Sequence, residues 1–120
     1  MRKTLSKAEI LSAKDCYFEY EDVPEWGGSL KIYSMSLRER MEFEKVQAKR
    51  KKDSEEINLE EILFVLSKSL RDEDGIPIFT AEEVNSLLDK NMNVVYRIFK
   101  RCAEVNKVDS DSPGVPEGKN

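Results

Sequence analysis

Period-two alternation of apolar and polar residues marks two segments near the start of the chain, residues 16–21 and residues 30–33. This alternation is typical of β-strands that cover a core on one face. Between the segments, Pro24 fixes its own φ angle and lacks a backbone donor, and the two glycines after Trp26 permit positive φ angles. The sequence therefore predicts a β-hairpin whose longer loop is built around Trp26.

Two S-x-x-E capping boxes open the first two predicted helices. Ser6 begins a short helix that ends near residue 15, and its apolar residues Ile10 and Leu11 are expected to face inward. Ser36 begins a second helix that extends to about residue 52. Four basic residues close this second helix, where positive charge complements the helix dipole.

The strongest helical signal in the chain follows Asn58, which is placed to cap a third helix. Apolar residues recur there at helical spacing: Leu59, Ile62, Leu63, Leu66 and Leu70. Phe64 and Val65 lie off this stripe, so the helix is apolar on more than one side. The extra apolar side either completes the core against the hairpin or forms one wall of a partner-binding groove.

The second half of the chain begins with an Asp-Gly turn at residues 74–75, which predicts a small hairpin near residues 71–79. Thr80 then opens another helix with four apolar residues expected to point inward: Ala81, Val84, Leu87 and Leu88. The last predicted helix has a second clear apolar face: Val94, Val95, Ile98, Phe99, Cys102 and Ala103.

These elements together predict an α+β fold in which the N-terminal β-hairpin packs against four to five helices. A chain of 120 residues has the length of one domain, and residues 1–108 are expected to form it. Residues 109–120 are rich in Asp, Ser, Pro and Gly, with Val115 as their only apolar residue. They are expected to form a disordered, flexible tail.

Composition excludes several classes of function. The chain has 20 Lys and Arg against 24 Asp and Glu, a net charge of −4, which argues against a general nucleic-acid binder. It contains no histidine, so Ser-His and Cys-His catalysis and histidine metal sites are excluded. No nucleophile has a plausible base partner and no Gly-rich phosphate loop is present. We therefore expect no enzyme activity, no catalytic, cofactor or metal site, and no small-molecule substrate.

The longest apolar run, residues 62–66, is far shorter than a membrane span, so we expect a soluble, cytoplasmic protein with no membrane partner. Its two cysteines, Cys16 and Cys102, do not form a C-x-x-C pair. Both are expected to be free, buried thiols in a reducing compartment.

Three residues are candidates for partner binding: Trp26, Phe64 and Val65. A tryptophan at a hairpin bend often packs on the core of its own domain. However, Pro24 and the following glycines are also suited to hold the indole ring at a partner surface. On the residues alone, the prediction is a small α+β interaction protein.

Two sequence elements carry a family resemblance, VPEWGG at residues 23–28 and DEDG-x-P-x-F at residues 72–79. With the capped helices around them, they resemble the tail assembly chaperones of long-tailed, siphovirus-type bacteriophages and prophages. The resemblance covers about residues 5–105. Tyr33 and Ser34 depart from the family pattern, in which many relatives have a Val-Arg-like pair.

This resemblance implies a non-enzymatic role in virion assembly. Such proteins bind the long, largely helical tape measure protein and keep it soluble until the tail tube protein polymerises around it. They act in the cytoplasm of the bacterial host, are absent from the finished virion and tend to self-associate. Many are also made in a longer form by ribosomal frameshifting. A function of another class stays open, a small cytoplasmic adaptor or regulator of one stoichiometric partner.

Overall fold

The computed structural model describes residues 2–49 and 58–107. In chain order its elements are α1 (Lys7–Ser12), β1 (Phe18–Val23), a first 3₁₀ helix (Pro24–Trp26), β2 (Gly28–Tyr33), α2 (Leu37–Gln47), α3 (Leu59–Ser69), β3 (Leu70–Arg71), a second 3₁₀ helix (Glu83–Asp89) and α4 (Met92–Asn106). This arrangement confirms the predicted α+β fold. The predicted tail at 109–120 lies outside the described residues. The second helix was predicted to extend to about residue 52, but α2 ends at Gln47, with Ala48 at its C-cap.

The N-terminal hairpin forms as predicted, and β3 extends it to a three-stranded antiparallel sheet in the order β1-β2-β3. β1 and β2 pair in a regular register from Phe18 opposite Tyr33 to Val23 opposite Gly28. The first 3₁₀ helix joins them and ends at Gly27, whose φ of 80° is left-handed. This conformation explains why glycine follows Trp26, since other residues are strained there.

The small turn predicted near residues 71–79 is also present. Asp72 organises it, because its carboxylate accepts hydrogen bonds from the backbone N–H groups of Asp74 and Ile76, at 2.8 and 3.0 Å. The backbone N–H of Ile78 donates to the carbonyl of Leu70 at 3.0 Å. Leu70 additionally pairs with β2, so this region is attached to the main sheet.

Helix α3 lies at the centre of the fold and contacts α2, α4, the second 3₁₀ helix and the sheet. A helix with neighbours on several sides buries more than one stripe. Val65, off the predicted stripe, is therefore fully buried beside Leu66, whereas Leu59 at the start of the stripe is 53% exposed. The core cluster contains residues from the three strands, from α2, α3 and α4, and from the second 3₁₀ helix: Val23, Ile32, Phe43, Val65, Leu66, Leu70, Val84, Leu87, Val94, Ile98, Phe99, Cys102 and Val105.

Helix α1 differs from its prediction in packing. Its capping box is present, with the Ser6 hydroxyl accepting from the backbone N–H of Glu9 at 3.2 Å. However, the helix buries no residue, and Ile10 and Leu11 are 57% and 74% exposed. The expectation that they face inward is wrong: the cap satisfies the backbone of α1 locally, and the side chains of Ile10 and Leu11 stay exposed to solvent among the described residues.

Two further predictions of burial need correction. Thr80 and Glu83 form the expected capping box, but it spans a turn, and the helix that follows at Glu83–Asp89 is a 3₁₀ helix, which has three residues per turn and therefore a different buried face. Val84 is buried there, whereas Leu88 is 50% exposed and Ala81 is also exposed.

The two cysteines lie in different environments. Both are free thiols, but only Cys102 is buried, and Cys16 is exposed. Cys16 precedes β1 and so lies outside the inward-facing positions of the strand. Burial raises the pKa of the Cys102 thiol to about 12, since the thiolate is poorly solvated in an apolar core.

Candidate functional site

The structure places the three predicted partner-binding residues in different environments. Trp26 ends the first 3₁₀ helix with its side chain 38% exposed. Phe64 is half-buried and packs on Phe43, with ring centroids 5.9 Å apart. Val65 is fully buried in the core, so its side chain is inaccessible to a partner in this fold. Trp26 is consequently the best placed of the three.

A hollow of about 490 Å³ opens beside Trp26, between the first 3₁₀ helix and the start of α4. Its lining consists of Glu25, Trp26, Asn91, Asn93, Val94 and Arg97. Asn91 caps α4 by accepting from the backbone N–H groups of Asn93 and Val94, at 2.9 and 3.3 Å. The cap fixes the start of α4, so this wall of the hollow is well defined.

A second hollow of about 340 Å³ continues along α4. It is lined by Glu21, Asn93, Tyr96, Arg97, Lys100, Arg101 and Glu104. Asn93 and Arg97 line both hollows, so the two lie next to each other along α4. We call the residues that line these two hollows, together with Met92 between Asn91 and Asn93 at the start of α4, the Trp26–α4 surface.

Ion pairs between the hairpin and α4 hold this surface together. The guanidinium of Arg97 donates to both carboxylate oxygens of Glu25, at 2.8 and 2.9 Å. One turn further along α4, Arg101 pairs with Glu19 and, at 3.4 Å, with Glu21. These contacts attach the turn that carries Trp26 to α4, and they partly neutralise the two arginines.

The pKa of Glu25 reflects this pairing. Hydrogen bonds from the Arg97 guanidinium lower the pKa of the Glu25 carboxyl from 4.5 to about 2, because they stabilise its charged form. The pKa of Arg97 is raised by the same contact. The pair therefore stays charged at any ordinary pH.

Exposed apolar groups lie on α4 beside this ionic cluster. Met92 and Tyr96 are 76% and 53% exposed, and their i, i+4 spacing places them on one face of the helix. The Nζ atom of Lys100 lies 5.7 Å from the centroid of the Tyr96 ring and has no carboxylate partner among the described residues. An apolar strip with a neighbouring cation suits the docking of another polypeptide.

Other kinds of site are not found in the described part of the chain. Residues 2–49 and 58–107 contain no cluster of three or more potential ligand side chains suited to a metal ion. None of the helices in these ranges combines the length and apolarity needed to cross a membrane.

Sequence reasoning named Trp26 as a candidate but did not indicate the α4 residues that line the hollows beside it, notably Arg97 and Tyr96. A signal for them was present, since Arg97 and Arg101 are spaced i, i+4 on a helix and the glutamates of β1 alternate. These two charge patterns match only after β1 and α4 are placed side by side.

No protein-family model and no curated protein matches the chain. Among solved structures, the tail assembly chaperone of bacteriophage HK97 matches with a TM-score of 0.58. The chain has the fold of that phage chaperone. The match covers 84% of this chain and 93% of the HK97 protein at 20% sequence identity. Similarity to the fold of the HK97 tail assembly chaperone thus extends over most of the chain, as the two sequence elements at residues 23–28 and 72–79 led us to expect.

Proposed function

We propose that the protein is a phage tail assembly chaperone that binds the tape measure protein and keeps it soluble for tail tube polymerisation. The observation that carries the proposal is the fold shared with the HK97 chaperone over 84% of the chain. In this role the protein acts in the cytoplasm of the bacterial host and is absent from the finished virion. Its partners are the tape measure and tail tube proteins.

The Trp26–α4 surface is the proposed contact for the tape measure protein. A long helical protein that has not yet been packaged exposes apolar stripes, and a chaperone has to cover them reversibly. Trp26 supplies an aromatic anchor held in place by the Glu25–Arg97 pair. Met92 and Tyr96 extend the apolar strip along α4, so that a helix laid along α4 meets apolar groups over about one turn.

Phe64 makes a smaller contribution to the proposed partner contact. Its half-buried ring packs on Phe43 from α2, and the Nζ atom of Lys68 lies 5.4 Å from the ring centroid. Only its exposed portion is available to a partner. Val65, which is fully buried, contributes by supporting α3 from within the core.

Self-association accompanies the proposed role, because a protein that coats a long chain gains from head-to-tail contacts that need not close into a ring. The exposed apolar side chains in and just before α1 support the proposed self-association. Leu5, Ile10 and Leu11 are 57%, 57% and 74% exposed, and α1 buries no residue in its own domain.

The test is co-expression with the long helical protein expected to be encoded downstream, followed by a pull-down through a tag on that protein. Trp26→Ala and Met92→Ala should reduce co-purification several-fold, since truncating an interface anchor commonly costs more than 1 kcal/mol. Leu37→Ala is a matched control, because Leu37 and Met92 are each the first residue of a helix and are 77% and 76% exposed. Equal losses for Leu37→Ala and Met92→Ala would contradict the assignment of the contact to the Trp26–α4 surface.

A further inference from the structure

Strand β1 forms one edge of the sheet, so one side of its backbone has no strand partner among the described residues. The backbone N–H of Ser34 donates to the carbonyl of Tyr17 at 2.8 Å, which makes these two residues a hydrogen-bonded pair of the antiparallel ladder. Such pairs alternate with non-hydrogen-bonded pairs. In the observed register, the N–H and C=O groups of Phe18, Tyr20 and Asp22 therefore point away from β2.

The β1 edge has acidic side chains, two of which are paired with α4, but it lacks three other features that commonly prevent pairing with another strand. Protected edges are commonly very short, interrupted by proline or twisted by a bulge. β1 has six residues, contains no proline and pairs with β2 residue for residue without a bulge. The backbone N–H and C=O groups of Phe18, Tyr20 and Asp22 are thus available to pair with an incoming strand.

Side chains on the outer face of β1 define what such a strand must contain. Phe18 and Tyr20 are 39% and 55% exposed, and the Nζ atom of Lys31 lies 4.1 Å from the Phe18 ring centroid. Further along the same face, the Asp22 carboxylate accepts a hydrogen bond from the Ser29 hydroxyl at 2.6 Å. Asp22 has no cationic partner among the described residues, whereas Glu19 and Glu21 are already paired with α4.

A second copy of β1 is a poor occupant of this edge. Antiparallel pairing centred on Tyr20 would place Glu19 opposite Glu21 and Asp22 opposite Phe18. Like charges directly opposite each other destabilise a strand pair, and Asp22 would remain without a cation. The charge of the edge therefore favours a different partner.

We propose that the β1 edge binds an extended segment of a partner protein as a fourth strand. In the antiparallel orientation, this segment carries a lysine or arginine opposite Asp22, followed at alternate positions by two β-branched or aromatic residues opposite Tyr20 and Phe18. The backbone ladder supplies affinity, and the alternate side chains supply specificity. This site is separate from the Trp26–α4 surface and does not rest on the proposed function.

A synthetic peptide, acetyl-Thr-Lys-Thr-Val-Thr-Val-Thr-amide, is the probe. Amide hydrogen exchange of the full chain is followed by NMR with and without the peptide. Binding should slow exchange at Phe18, Tyr20 and Asp22, whose N–H groups are free, and leave Glu19 and Glu21 unchanged because their N–H groups already bond to β2. Slower exchange at all five residues, or at none at millimolar peptide, would overturn the proposal.

Two N-methylated peptides provide a control that leaves the protein unchanged. Methylating two of the three backbone nitrogens that face β1, those of the two valines, should weaken binding about tenfold or more, since each methyl group removes a hydrogen bond. Methylating two nitrogens that face away should have little effect, and equal affinities for the two peptides would contradict strand addition. Asp22→Asn, which keeps an acceptor for Ser29, should weaken binding of the unmethylated peptide and reduce its dependence on salt. Unchanged affinity would refute the role of charge.

Discussion

Replacing Gly27 by valine tests the turn that holds Trp26. Gly27 has a φ of +80°, and a Cβ atom added there would meet no atom within 4 Å. The cost is therefore backbone strain alone, because an L-residue in the left-handed region loses roughly 1–2 kcal/mol and a β-branched one more. We expect a loss of about 2 kcal/mol, which lowers the melting temperature of a domain of this size by about 8–16 °C.

Gly28 supplies a matched control for this substitution. It begins β2 opposite Val23, its φ is not in the left-handed region, and a Cβ atom there would also meet nothing within 4 Å. Gly28→Val should leave stability unchanged or slightly raised, because valine suits a strand. Thermal and urea unfolding followed by circular dichroism measure both variants. Equal melting temperatures for the two variants would refute a left-handed turn at Gly27.

Three further predictions concern thiols, charge and assembly. A thiol reagent should modify Cys16 rapidly in the folded protein and reach Cys102 only on unfolding, and two equally fast thiols would contradict the buried position of Cys102. The Glu25 carboxyl should titrate near pH 2 by NMR and return towards 4.5 in Arg97→Gln. Because the folded pKa is lowered, the small stabilisation from this exposed pair is complete above about pH 4.5 and lost as the pH falls towards 2. Sedimentation at several concentrations should show a monomer–oligomer equilibrium, and one mass throughout would count against the coating model.

Features set by neighbouring residues along the chain were predictable from sequence. The capping boxes at Ser6 and Ser36 form as expected, because a cap needs only a side chain and a backbone N–H three residues away. The turn around Gly27 was also predictable from sequence, since a left-handed backbone conformation favours glycine.

Burial was less predictable, because it depends on which elements meet. The apolar spacing in α1 indicated an inward side, yet Leu11 is 74% exposed, and in the described part of the chain α1 buries no residue. Val65 was off the main stripe of α3 and is nevertheless fully buried, because α3 has neighbours on several sides.

The candidate site was also predictable only in part, because some of its features depend on nearby residues and others on contacts between distant elements. Trp26 was identified from its local setting between Pro24 and the glycines. Arg97, which pairs with the neighbouring Glu25, lies 72 residues further along the chain, and only the tertiary arrangement brings the two together. Sequence therefore indicated Trp26 as a candidate for partner binding, whereas the extent of the Trp26–α4 surface required the structure.

The most direct test of the proposed chaperone role is the soluble fraction of the tape measure protein. The tape measure protein is expressed alone, with the wild-type protein, and with the Trp26→Ala or Leu37→Ala variant, and is quantified in the supernatant after lysis. The proposed role predicts that it is largely insoluble alone, soluble with the wild type and with Leu37→Ala, and less soluble with Trp26→Ala. A soluble fraction that is unchanged by the presence of the wild-type protein would contradict the proposed function.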